Sequence, residues 1–77
     1  MGRLTPLSPQ LFRKFLSKNG WAFSRTKGGH EIWNKPGAIR PVVFQPGDDV
    51  PVFELMTNLR TMGLTREELL AWLEFNR

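Results

Sequence analysis

The sequence predicts a two-layer α+β sandwich: one leading helix, three antiparallel strands, then a helix and a short C-terminal helix, with the helices on one face of the sheet. Three observations predict it. Apolar residues recur at helical spacing near the start of the chain and again after residue 52. Three short runs rich in β-branched and aromatic residues lie between. Turn signals at Asn19-Gly20, Gly28-Gly29, Pro36-Gly37 and Pro46-Gly47 divide them. The 77 residues suffice for one domain, 1–77, and show no repeat, linker or low-complexity segment.

Taken in order, Ser8-Pro9 opens the first helix. Serine is a good N-cap, and proline at the first helical position sacrifices no hydrogen bond. Leu11, Phe12, Phe15 and Leu16 form its apolar stripe, with Arg13, Lys14 and Lys18 off it. Asn19-Gly20 supplies a left-handed stop. Trp21 to Arg25 reads as a strand, Thr26–Gly29 as a four-residue turn and His30 to Asn34 as a second strand. That loop length pairs Arg25 with His30 and Phe23 with Ile32. It turns Trp21, Phe23 and Ile32 to the core and Trp33 to the other face. Ile39 to Gln45 is the third strand, at an edge because it contains Pro41. Residues 52–62 form the second helix, with Phe53, Met56, Leu59 and Met62 near one face. Gly63-Leu64 ends it. Thr65 and Glu68 make a capping box for a short last helix. This order is like that of the double-stranded-RNA-binding fold, whose antiparallel sheet keeps one face free for a ligand.

The formal charge is +4, unevenly spread. Residues 1–40 hold eight Lys/Arg against Glu31 alone, a net +7; residues 41–77 hold three arginines against six acids, a net −3. A basic half points to a polyanionic partner, most simply nucleic acid. No apolar run approaches the ~20 residues of a membrane span. The start, Met1–Pro6, lacks the apolar stretch of a signal peptide. A cytoplasmic protein without membrane contact is expected.

One histidine, no cysteine and an Asp48-Asp49 pair in a turn do not make a ligand set, so neither a metal nor a cofactor is expected. Ser24 across the hairpin from His30 allows serine chemistry on paper, without a third member to complete it. The residues suit metal-free phosphodiester chemistry on RNA better. RNA carries its own nucleophile, the 2′-OH. An imidazole, ordinarily titrating near ~6.5, serves as base or acid at cellular pH. Arg25, Lys27 and Arg40 are candidate phosphate ligands. Backbone N–H groups at Gly28 and Gly29 can approach a phosphate closely, and Trp33 is a candidate for stacking on a base. From spacing alone, a lone histidine beside a turn is more often a hydrogen-bonded surface residue, and such cations are more often solubilising charge. The residues by themselves therefore describe a basic nucleic-acid binder with a candidate histidine centre.

Two runs carry a more specific signal. Leu16-Ser17-Lys18-Asn19-Gly20-Trp21 leads into Arg25-Thr26-Lys27-Gly28-Gly29-His30-Glu31-Ile32-Trp33, and Arg60-Thr61-Met62-Gly63-Leu64-Thr65-Arg66-Glu67-Glu68 follows later. Together they resemble the HicA toxin family over roughly residues 10 to 75. The resemblance implies a double-stranded-RNA-binding-like fold and an mRNA-cleaving endoribonuclease, an mRNA interferase. It also implies a cognate HicB antitoxin that covers the active surface, and a free toxin expected to be a monomer. It places the catalytic histidine at His30 and a family glycine at Gly28. It gives Trp33 an RNA or antitoxin contact. Two positions depart from the family pattern. Gly29 stands where serine is usual, and Gln45 lies where many members carry a second histidine. These departures leave one alternative, a non-catalytic RNA- or DNA-binding module acting through its basic face.

Overall fold

The computed structural model describes residues 2–77; Met1, first residue of the expected domain, lies outside them. Helix α1 spans Pro9–Lys18, strand β1 Ala22–Lys27, β2 His30–Asn34 and β3 Val42–Phe44; helices α2 and α3 cover Val52–Met62 and Arg66–Asn76. The three strands form one antiparallel sheet in the order β1-β2-β3. This is the predicted α+β sandwich, consistent with a double-stranded-RNA-binding-like fold.

The local signals produce the helix ends they predict. The Ser8 hydroxyl accepts from Leu11 N–H, and Pro9 opens α1. Gly63 sits at φ 73°, and Leu64 N–H reaches the Leu59 carbonyl, closing α2. Thr65 and Glu68 cap each other reciprocally at the start of α3. That last helix has 11 residues, the same as α2, so it is not the short one expected.

Phe12, Leu16, Val42, Phe44, Leu55, Leu59, Leu69 and Leu73 form the core between helices and sheet. Phe12 meets Phe44 edge-on at 5.0 Å between ring centroids, and Phe15 meets Trp72 at 5.2 Å. Before α1, Leu7 and Val50 bridge through two backbone bonds of 3.0 and 2.7 Å. On α2 the buried side chains are Leu55, Asn58 and Leu59, whereas Phe53 is 73% exposed. The expected Phe53–Met56–Leu59–Met62 face is thus rotated. Leu55, Asn58 and Leu59 stand at i, i+3, i+4 spacing and share the buried face, and Phe53, two residues before Leu55, falls on the other side of the helix.

The hairpin corrects the expected register. Only Gly28 and Gly29 form the loop, and Lys27 pairs with His30, Thr26 with Glu31 and Arg25 with Ile32. Both glycines have positive φ, 59° and 81°. Such a two-residue loop matches the right-handed twist of the strands, so β1 runs on through Lys27. A bulge at Ser24 then shifts the pairing, and Phe23 lies opposite Trp33. In β2, Glu31 and Trp33 alternate with His30 and Ile32 and point into the helix layer; Trp33 is 6% exposed, not turned to the free face as expected. Ile32 takes the free face instead, opposite Val43. The third strand is shorter than predicted, because Pro41 stands before it rather than within it. Since Gly28 needs positive φ but faces open space, Gly28→Val should cost about 1–2 kcal/mol. Gly28→Asn should be nearly neutral; urea denaturation of both variants checks this.

Candidate active site on the free face of the sheet

The register decides which side chains share the free face. Residues directly opposite in an antiparallel pair point the same way, as do residues two apart along one strand. His30 and Ile32 of β2 thus share this face with Lys27 and Arg25 of β1 and Val43 of β3. Lys27 stands directly across from His30, the place expected for Arg25; Arg25 lies on the diagonal, roughly 7–8 Å away by general sheet geometry. The two-residue loop makes this grouping, setting Lys27 against His30 and Arg25 against Ile32, and the bulge beyond Arg25 pairs Phe23 with Trp33 on the opposite face. The bulge also leaves Ser24 unpaired and away from His30, which removes the serine arrangement.

His30 is exposed at the first position of β2, directly after the glycine loop. Its Nδ1 lies 3.1 Å from the Gly28 carbonyl oxygen. A carbonyl only accepts, so in the neutral ring Nδ1–H donates and Nε2 keeps its lone pair. Glycine at 28 thus supplies both the turn and the oxygen that orients the imidazole. Among the described residues neither Arg25 nor Lys27 pairs with a carboxylate, so both charges are available on this face.

The one acid in the basic half of the chain is turned away. Glu31 faces the helix layer and is 8% exposed. Arg13 Nε donates to both of its carboxylate oxygens at 3.1 Å, Arg13 Nη2 adds a third bond, and Trp33 Nε1 donates at 3.0 Å. The hydrogen bonds from Arg13 hold the Glu31 carboxyl below the usual carboxylate range against the opposing effect of burial. The Trp33 N–H and the positive charge act in the same direction. The same pairing raises Arg13 further. Sequence reasoning missed this cluster, since Arg13 and Glu31 stand 18 positions apart. The single acid in a basic half was the one available signal.

The remaining expected site residues are dispersed. Trp33 edges against Phe23 at 5.8 Å and binds Glu31, so its ring does not reach the free face. Arg40 follows the far end of β2 and lines a shallow cleft with Thr57, Arg60 and Thr61, apart from His30. Gln45 comes one residue after β3, where continuation of the Glu31–Phe44 register places it across from His30. Its amide has no proton to give as an acid. No cluster of three or more His, Cys, Asp or Glu side chains occurs among the described residues. No helix among them is long and apolar enough to cross a membrane.

Fold and free face together define a small α+β domain of double-stranded-RNA-binding type that presents one histidine among cations. A family model described as the HicA toxin of bacterial toxin–antitoxin systems matches residues 12–64. With well over half its length matched, the chain belongs to the HicA toxin family, and membership implies pairing with a HicB antitoxin. No curated protein and no solved structure matches the chain.

Proposed function

We propose that this toxin is a metal-independent endoribonuclease acting on mRNA, with His30 as its general base. The observation that carries the reading is the placement of His30 opposite Lys27, with Nδ1 held by Gly28. Nε2 removes the proton from a ribose 2′-OH, and the new alkoxide attacks the adjacent phosphorus. Charge growing on the phosphate oxygens falls to Arg25, Lys27 and the backbone N–H groups of Gly28 and Gly29. The bond to the 5′-oxygen breaks, and that oxygen takes its proton from water, from Lys27 or from His30 in its charged form. Gln45 cannot serve as the acid, so this site runs with one imidazole. The toxin works in the cytoplasm, free as a monomer, and its HicB-type antitoxin covers the same face.

The chemistry leaves a signature. Cleavage of a defined mRNA in the presence of a chelator should yield 2′,3′-cyclic phosphate and 5′-hydroxyl ends, read by end-labelling and mass spectrometry. Products with 5′-phosphate ends would overturn the use of the 2′-OH. Salt-sensitive RNA binding without cleavage would instead support the binding-module reading that the Gly29 and Gln45 departures favour.

A further inference from the structure

The sheet has two edges, and the fold treats them differently. Along β3, α2 packs against the strand. Asn58, only 4% exposed, gives its Nδ2–H to the Val43 carbonyl at 3.1 Å. Glu54 Oε1 accepts from Gln45 N–H at 3.3 Å. A buried asparagine on the packed face of a helix is otherwise costly. Here it closes the outer side of an edge strand, a standard protection against unwanted strand pairing.

The β1 edge has no such cover. All six residues of Ala22–Lys27 are exposed. Antiparallel pairing alternates between hydrogen-bonded and non-hydrogen-bonded pairs. The two-residue loop makes Lys27–His30 a bonded pair, so Thr26–Glu31 is a non-bonded one and Thr26 turns its N–H and C=O outward. The Val43 carbonyl, free for Asn58 opposite Ile32, fits the same alternation. On the helix side of this edge Phe23 is 52% exposed, a large apolar ring beside unpaired backbone.

We infer that the open β1 edge is a docking site for a strand of the HicB-type antitoxin, paired to the backbone at Thr26. The inference takes its partner from the toxin–antitoxin reading, but it does not need RNA cleavage. Charge chooses the occupant. A second copy pairing β1 to β1 would set Arg25 and Lys27 against their own counterparts, which is unfavourable. A strand with acidic residues on the free-face side and an apolar residue on the helix side satisfies Arg25, Lys27 and Phe23 together. Main-chain bonds supply affinity, and the alternating side chains supply specificity. The Ser24 bulge restricts in-register pairing to the segment after it, so Thr26 is the decisive residue. A strand seated there lies beside His30.

Amide hydrogen exchange of the full toxin, alone and bound to its cognate antitoxin, tests this. Thr26 N–H should exchange fast in the free toxin and slow by roughly a hundredfold or more in the complex. Thr26→Pro removes that N–H where an edge strand tolerates proline. It should weaken antitoxin binding by about tenfold, the size of one net hydrogen bond, with the circular dichroism spectrum and RNA cleavage unchanged. An unprotected Thr26 amide in a formed complex would overturn the proposal. So would protection that appears in the toxin alone as its concentration rises, which would mean a second copy on the edge. Loss of cleavage in every preparation would count against the nuclease reading and leave this result standing.

Discussion

His30→Ala should lower the rate of mRNA cleavage by roughly 10²–10⁴-fold, the usual contribution of a positioned general base. The substitution should leave stability nearly unchanged. The imidazole is exposed, and its one hydrogen bond goes to a loop carbonyl. RNA binding should survive as well, since Arg25 and Lys27 remain on the face. Single-turnover cleavage and an affinity titration on wild type and variant, with circular dichroism as the control for folding, check the three parts. Equal cleavage by two folded proteins would remove His30 from the mechanism. A joint loss of binding and cleavage would instead make it a substrate anchor.

The second large effect is on stability. Glu31→Ala should cost about 2–3 kcal/mol, because it leaves the Trp33 N–H without its acceptor and dismantles the bonds to Arg13. The figure is held below that of a fully buried pair because the Arg13 side chain is 35% exposed and can turn to water. For a domain of this size, the melting temperature should fall by roughly 10–20 °C. The effect carries a pH signature. The carboxyl is held below its ordinary value in the folded protein, so its contribution is complete above the unfolded-chain value of roughly 4.3. It fades as pH falls through the lower folded value. Melting curves of both proteins should therefore lie far apart at pH 7 and converge in acid. A gap that persists after protonation would assign the loss to packing rather than to charge.

These expectations rest on features of unequal legibility. The helix ends were readable because each cap is a short-range event: Ser8 with Leu11, Gly63 with Leu64, Thr65 with Glu68. A turn at Gly28-Gly29 ahead of His30 was readable for the same reason, but not its length of two residues instead of four. The register was not, because the Thr26–Gly29 run fits a loop of four residues as well as one of two, and no residue type announces the bulge at Ser24 beyond it. The two-residue loop put Lys27, not Arg25, across from His30, and the sheet packs its Glu31–Trp33 face, not its His30–Ile32 face, against the helices. The Glu31–Arg13–Trp33 cluster and the Asn58 bond to β3 were hidden because their partners meet only once helix and sheet have packed. Arg40 illustrates the converse error. A cation counted in the basic half of the sequence ends up beyond the far end of β2, because charge counts carry no geometry.

The bridge between Leu7 and Val50 has a consequence for the order in which the protein forms. It joins residues more than forty positions apart, so the loop it closes contains α1 and the whole sheet. Closing such a loop costs chain entropy before its contacts return any gain. A nascent chain that has reached Phe44 holds α1 and all three strands, but it lacks both Val50 for Leu7 and Asn58 for Val43. The contacts that fasten the segment before α1 and the outer side of β3 to the rest of the fold therefore wait for Val50 and Asn58 to join the chain.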